Sequence, residues 1–201
     1  MSPALTTEQV QRRGAGNRRS TSSRYPSSGP IGNVEPPSAQ FRTFDEGNLF
    51  RIGVPSNWQE LPGNTSVTFA PQGGYGDYQG QSAFTHGIEV GTDRNESHDL
   101  RTATDELINS LSQANPQLRR SGNYNSTSID GRRALHVVLN NVSDVTRRPE
   151  QIELFTTQLN DGSLFYVLGV APSNEFGNYQ RVFNQSVRTI QLNDNYNRSR
   201  Y

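Results

Sequence analysis

The sequence predicts an α+β domain in which an antiparallel sheet of about six to seven strands lies between two helices. Three observations carry this prediction. Short runs of alternating apolar residues indicate strands. Two segments with an apolar period near 3.6 residues indicate helices. Two Asp-Gly pairs mark hairpin turns. The predicted order of elements is β-β-β-α-β-β-β-β-α.

Three strands are predicted before the first helix. Residues 49–54 and 67–69 form the first two, because apolar residues alternate with Arg, Gly or Thr there. Residues 84–90 form the third. Alternation places His86 on the same face as the apolar residues of this strand and leaves Glu89 on the solvent side.

The first predicted helix runs from Leu100 to Leu111, with Ser97 as its N-cap and Asn115-Pro116 as its stop. The second lies within residues 173–192. Each has one apolar stripe, formed by Leu100, Thr104, Leu107, Ile108 and Leu111 in the first helix and by Phe176, Tyr179, Phe183, Val187 and Ile190 in the second.

Four strands lie between the helices, with tight turns at Asp130-Gly131 and Asp161-Gly162. Residues 134–139 and 164–170 are apolar at nearly every position. Strands of that composition are buried on both faces. We therefore expect helices on both sides of the sheet.

The composition divides the chain into three parts. Residues 1–40 contain five arginines, two glutamates and a Ser/Pro/Gly tract, which predicts a disordered linker. Residues 41–194 contain the regular apolar runs and form the domain. Residues 195–201 are predicted to be a disordered tail.

Several functions are excluded by what the sequence lacks. The formal net charge is zero, so we expect no nucleic-acid partner. The chain contains neither lysine nor cysteine, which removes Schiff-base, P-loop and thiolate chemistry. No segment is apolar enough to span a membrane or to serve as a secretory signal. We predict no cofactor, no metal and no catalytic activity.

The stretch "THGIEVGTDRNESHD" supplies the alternative hypothesis, a metal-binding hydrolase that uses His86, His98 and the neighbouring acids. Against it, His86 and Glu89 are three residues apart in a predicted strand and face opposite sides. His98 and Asp99 fall in the first turn of a helix, where an acid stabilises the helix dipole. His136 is predicted to pack in or beside the core.

The preferred hypothesis is a non-catalytic module that binds a protein. Its candidate surface is the glycine-rich loop with Tyr75 and Tyr78, together with Trp58, because aromatic side chains on such loops make adaptable contacts. The alternative interpretation of Trp58 is that it caps the core. Arginine pairs at predicted turns could add a patch that binds carboxylates. The pairs included in this surface are Arg132 with Arg133 and Arg147 with Arg148.

Residues 40–194 also resemble a known fold family, the PsbP-like sandwich, named for an extrinsic subunit of photosystem II. A Ran-GTPase-binding factor shares that fold. The resemblance rests on the helix at Leu100, the two Asp-Gly hairpins and three stretches, "LFRIGVPSNWQEL", "SVTFAP" and "FGNYQRVFNQSVRTIQL". It implies an α/β/α sandwich.

Four stretches look more specifically like the C-terminal domain of bacterial zinc metallopeptidases of the CAAX-protease and HtpX-like group. They are "FRIGVPSNWQEL", "VTFAPQGGYG", "FTHGIEVG" and "NESHDL". That family's catalytic H-E-x-x-H motif is absent, so no catalytic residue carries over. The resemblance implies a docking module, detached or truncated, whose partner is a protein or the substrate of an attached peptidase. It further implies a periplasmic or membrane-associated extracytoplasmic location.

Overall fold

The computed structural model describes residues 33–78, 81–94 and 97–194. These residues form twelve strands and two helices. In chain order they are β1 (Phe41–Glu46), β2 (Phe50–Pro55), β3 (Gln59–Pro62), β4 (Ser66–Ala70), β5 (Tyr75–Tyr78), β6 (Gln81–Phe84), β7 (Gly87–Asp93), α1 (Leu100–Ala114), β8 (Arg119–Ile129), β9 (Arg132–Val142), β10 (Pro149–Gln158), β11 (Leu164–Pro172), α2 (Phe176–Arg188) and β12 (Gln191–Leu192).

A seven-stranded sheet forms the centre of the domain, in the order β3-β4-β7-β11-β10-β9-β8. Every pair of neighbours is antiparallel. The central strands are buried on both faces, as their apolar sequences predict. The predicted fold class, an antiparallel sheet between two helices, is therefore confirmed.

The two faces of the sheet are covered differently. On one face lie α2 and a small sheet with the order β1-β2-β12. On the other face lie α1 and the β5–β6 hairpin. The α2 layer sits very close to the sheet, because a Cβ at Gly169 would lie 2.5 Å from the ring of Phe183. We refer to these as the α2 face and the α1 face.

Both predicted helices are present, and the predicted stripe of α1 is buried. The N-cap of α1 differs from the prediction. The carboxylate of Asp99 accepts a hydrogen bond from the backbone N–H of Thr102 at 2.9 Å. The predicted cap, Ser97, instead accepts from the N–H of Asp99 at 3.2 Å. Asp99 replaces it because its carboxylate reaches the free amides of the first turn.

The third predicted strand is in fact two strands. Residues 85–86 interrupt it, and Gly87 has a φ of 137°, which favours glycine. The prediction for Glu89 is wrong: its side chain is buried on the α1 face, where its carboxylate accepts a hydrogen bond from Tyr166 Oη at 2.8 Å. Burial raises the pKa of Glu89.

The two predicted hairpins are present with different turns. Asp130 and Gly131 have φ of 48° and 73° and join β8 directly to β9, as a two-residue turn requires. The turn at Asp161-Gly162 is longer and spans residues 159–163, closed by a hydrogen bond from the N–H of Leu159 to the carbonyl of Ser163 at 2.9 Å.

Part of the predicted linker contacts the domain. Asn57 Nδ2 donates to the carbonyl of Pro36 at 2.9 Å, and the N–H of Glu35 donates to the carbonyl of Gln72 at 3.4 Å. Most of the predicted linker and the predicted tail, residues 1–32 and 195–201, lie outside the described residues. Neither described helix is long and apolar enough to cross a membrane.

Candidate functional site

Two of the predicted candidate residues meet beside the start of α2. The ring of Trp58 stacks 6.4 Å from the ring of Tyr179, and the ring of His86 lies 5.3 Å from the same ring. Trp58 is 2% exposed. The indole of Trp58 therefore packs in the core under α2, as the alternative interpretation of this residue expects, and a binding role for Trp58 stays a prediction.

The imidazole of His86 is buried in surroundings that disfavour its charged form. Its Nδ1 lies 2.9 Å from Thr85 Oγ1, and its Nε2 lies 3.6 Å from a carboxylate oxygen of Glu175, too far for a hydrogen bond. Burial lowers the pKa of His86, and the Glu175 carboxylate opposes that shift only partly. His86 Nε2 and Trp58 Nε1 are both buried without a hydrogen-bond partner in the structure.

The alternative hypothesis, a metal site at His86 and His98, is contradicted by the length of strand β7, which lies between the two histidines. His86 directly precedes this strand, and His98 follows its far end. Seven residues of strand separate the two by roughly 20 Å at about 3.3 Å per residue. One ion cannot contact both side chains. Within residues 33–78, 81–94 and 97–194, no group of three His, Asp or Glu side chains is arranged to hold a metal.

The glycine-rich segment forms the β5–β6 hairpin rather than a loop. Tyr75 is 2% exposed, and its hydroxyl donates a hydrogen bond to Gln59 Oε1. Burial raises the pKa of Tyr75. The prediction of an exposed Tyr75 is wrong, because the hairpin packs its ring into the core on the α1 face. The side chain of Tyr78 lies outside the described residues.

The arginine pairs do not form one patch. Arg132-Arg133 and Arg147-Arg148 lie at opposite ends of β9, which is eleven residues long, so about 30 Å or more separates them. Arg132 Nη1 donates to the carboxylate of Asp194 at 2.7 Å, and Arg147 Nη1 donates to a carboxylate at 3.2 Å. Arg133 and Arg148 are exposed.

A polar cluster under α2 was not predicted. Glu153 is fully buried, and its Oε1 accepts hydrogen bonds from Gln180 at 3.1 Å and Asn184 at 3.3 Å. His136 Nε2 lies 2.8 Å from the same oxygen, although its ring is not oriented for a hydrogen bond. His136 also stacks on Phe155, with ring centroids 4.5 Å apart. The cluster joins β9, β10 and α2 through one buried carboxylate.

The most exposed regular element is β8, an edge strand that the sequence analysis did not single out. It pairs with β9 on one side, and within the described residues no strand pairs with its other side. Nine of its eleven residues are exposed, the exceptions being Tyr124 and Ile129. Among the described residues, the N–H and C=O groups on its outer side therefore have no partner strand. A polar, Ser/Asn-rich sequence was the available signal for such a strand.

A group of charged side chains surrounds Tyr124 on the α1 face, and we call it the Tyr124 cluster. It contains Arg101, Asp105, Arg120 and Tyr124. The two guanidinium groups each lie 5.0 Å from the centre of the Tyr124 ring. Tyr124 Oη donates to Asp105 Oδ1 at 2.5 Å, and Arg120 Nη1 lies 3.5 Å from the same oxygen. Burial, followed by the hydrogen bond to Asp105, raises the pKa of Tyr124 to about 12.

Solved structures share this architecture of a covered antiparallel sheet. The solution structure of cyanobacterial PsbP (CyanoP) from Synechocystis sp. PCC 6803 is similar with a TM-score of 0.53 and 14% identity, over 83% of this chain and 98% of that chain. The crystal structure of the Ran-binding protein Mog1p from Saccharomyces cerevisiae gives 0.52 and 12%, over 78% of this chain and 97% of that chain.

These comparisons identify the fold. The class is an α+β sandwich, and the particular fold is PsbP-like, which confirms that part of the resemblance seen in the sequence. Identities of 12% and 14% establish no more than the fold. No protein-family model and no curated protein sequence matches the chain.

Proposed function

We propose that this domain is a non-catalytic binding module that receives an extended segment of a protein partner at β8. The observation that carries the proposal is the exposed outer edge of an eleven-residue strand. An incoming strand satisfies such an edge with main-chain hydrogen bonds, while its alternate side chains contact the faces of the sheet.

The protection of β8 against such pairing is incomplete. Edge strands are commonly blocked by charges, prolines or bulges. In β8 such features occur only in the first part of the strand. The charges of Arg119 and Arg120 are followed there by an irregularity in the pairing between Ser121 and Asn125. Residues 125–129 pair regularly with β9 and contain neither charge nor proline. This stretch supplies five consecutive residues for a partner strand.

The predicted binding residues contribute unequally to the proposed surface. Arg133 borders it, because its Cα is the pairing partner of Ser128 across β8 and β9. Arg148 lies at the other end of β9 and would contact a partner separately. Trp58 and Tyr75 support the surface only through the stability of the core.

The resemblance to a peptidase-associated domain supports a more specific proposal, that the module belongs to a zinc metallopeptidase and docks its substrate or partner. A denaturing immunoblot of the source cells with an antibody against residues 41–194 tests this. A much larger band than the 22.4 kDa chain supports the proposal. A single band at that size contradicts attachment and leaves the binding role of β8 in place.

The binding role itself is tested with the full chain and a display library of random peptides. Selected peptides are added, and amide hydrogen exchange is followed by mass spectrometry. We expect slower exchange in residues 125–129 and no change in β3, which serves as the internal control edge. Selected peptides that leave β8 unprotected, or a library that yields no binder, would contradict the proposal.

A further inference from the structure

The charge on β8 differs in sign from the charge on the domain as a whole. Residues 41–194 contain twelve arginines and seventeen acidic residues, a net charge of −5. Residues 119–129, by contrast, contain two arginines and no acidic residue. From this contrast, and resting on the proposed function, we infer that the segment received at β8 is acidic and that the Tyr124 cluster recognises one of its carboxylates.

The Tyr124 cluster has capacity for an additional carboxylate. It contains two guanidinium groups and one carboxylate, that of Asp105. Arg101 has no carboxylate within ion-pair distance among the described residues, and the contact of Arg120 with Asp105 is 3.5 Å long. The side chain of Arg120 is 40% exposed, so a ligand can reach it. An incoming carboxylate would form charge-assisted hydrogen bonds without displacing Asp105.

A second arginine site lies on the same face of the sheet. Arg120 pairs with Leu139, which packs in the core on the α1 face. Ser128 pairs with Arg133, and alternation along the two strands puts their side chains on the same face. Arg133 is exposed. Tyr124 and Ser128 are four residues apart, about 13 Å along the strand. Acidic residues four positions apart in an extended segment would therefore reach both sites from one face.

The experiment uses fluorescently labelled seven-residue peptides of alternating Thr and Val. The test peptide carries Glu at its second and sixth positions, which lie on one face. A second peptide carries Gln at both positions, and a third carries Glu at positions two and five, which lie on opposite faces. Binding to the full chain is measured by fluorescence anisotropy at 50 and 300 mM NaCl, and β8 protection is measured by hydrogen exchange.

At low salt we expect the test peptide to bind about tenfold more tightly than the Gln peptide, a difference of about 1.4 kcal/mol for two charge-assisted contacts. We expect it to bind about threefold more tightly than the third peptide, which keeps one Glu on the recognising face. This preference falls at high salt because screening weakens exposed ion pairs. The double variant Arg101→Gln/Arg120→Gln reduces the preference over the Gln peptide to about threefold, because the Arg133 site remains. A matched control, Arg181→Gln/Arg188→Gln, changes two exposed arginines of α2 and retains it.

Three outcomes would overturn the inference. Equal affinities for the Glu and Gln peptides, with β8 protected by both, contradict recognition of acids and leave the proposed function intact. Failure of every peptide to protect β8 at millimolar concentration contradicts both. Protection of β8 in the free chain, with sedimentation as a dimer, identifies a second copy of the chain as the occupant.

Discussion

The two edges of the central sheet are built in opposite ways. At one edge, β3 has four residues and ends at Pro62, and its neighbour Trp58 lies in the core. The hydroxyl of Tyr75 and the guanidinium of Arg42 add hydrogen bonds there, to Gln59 Oε1 and to the carbonyl of Trp58. At the other edge, β8 has eleven residues, nine of them exposed.

The difference shows where stability and recognition reside in this domain. The helices pack mainly over the middle of the sheet, with α1 against β9, β10 and β11 and α2 against β2, β10 and β11. Near the β3 edge Trp58 and Tyr75 are buried in the core, whereas nine residues of β8 are exposed and this strand contacts α1 through the Tyr124 cluster. Substitutions should therefore affect folding near β3 and binding near β8.

The largest effect is expected for Trp58→Ala. Removing a fully buried indole leaves a cavity, and such changes cost about 3–5 kcal/mol in the free energy of unfolding. Urea denaturation followed by far-UV circular dichroism measures the loss. The control is Ser126→Ala in β8, which we expect to change stability by less than about 0.5 kcal/mol. Equal losses in the two variants would remove the contrast between the edges.

A second effect concerns Glu150, a buried carboxyl of the covered sheet. Burial raises its pKa to about 7, and a neighbouring Asn141 amide at 2.9 Å only partly offsets this shift. An acid whose pKa is raised by folding is protonated in the native state while the unfolded chain is already ionised. Stability therefore falls as pH rises from about 4.5 to about 7.

Glu150→Gln should remove that part of the pH dependence, which is on the order of 3 kcal/mol for a pKa raised from 4.5 to about 7. The measurement is the urea midpoint of both chains at pH 4.5, 6 and 8. We expect the urea midpoint of the variant to increase relative to that of the native chain as pH rises. Parallel pH profiles for the two chains would show that Glu150 is not the group responsible.

A smaller effect is expected at His136, which lies on β9, between β10 and the edge strand β8. His136→Gln removes the ring that stacks on Phe155 and approaches Glu153, while Gln180 and Asn184 still donate to the carboxylate. We expect a loss of about 1–2 kcal/mol. A double-mutant cycle with Glu153→Gln measures the coupling, and additive losses would contradict a direct interaction.

The smallest effect on stability is expected from Ser128→Lys in β8. A charge on an exposed edge strand hardly affects folding but discourages strand addition. We expect the free energy of unfolding to fall by less than about 1 kcal/mol, because the new ammonium group lies opposite Arg133. We expect the Gln peptide, which isolates the backbone contribution, to bind at least about tenfold more weakly. Unchanged binding of that peptide would place the contact away from β8.

Local patterns predicted the covered part of the fold well. The stripes of α1 and α2 and the apolar runs of β9 and β11 identified the layers, because burial imposes periodicity. The short strands β1, β3, β5 and β6 pair with strands adjacent in sequence, but each has only four to six residues, too few to show a clear alternation. The two-residue strand β12 was missed because it forms by pairing with the distant β2. The burial of Glu89 was also missed, since alternation assigns a face but not what covers it.

The candidate site was harder to predict than the fold. Binding residues on the surface need not follow the apolar periodicity that burial imposes. The Ser/Asn-rich sequence of β8 also resembles that of a loop. Trp58 and Tyr75 attracted attention as aromatics near glycine and proline, yet their neighbours in the structure come from distant parts of the chain. The Glu153 cluster draws on β9, β10 and α2, so no spacing within one segment reveals it.

Isotope-filtered NMR of the labelled chain bound to the unlabelled acidic peptide tests the central claim most directly. Strand addition at β8 predicts nuclear Overhauser effects between backbone protons of the peptide and those of residues 125–129, in the alternating pattern of a paired strand. Contacts to β3 or to the helices instead, with no backbone contacts at β8, would contradict the assignment of β8 as the binding edge.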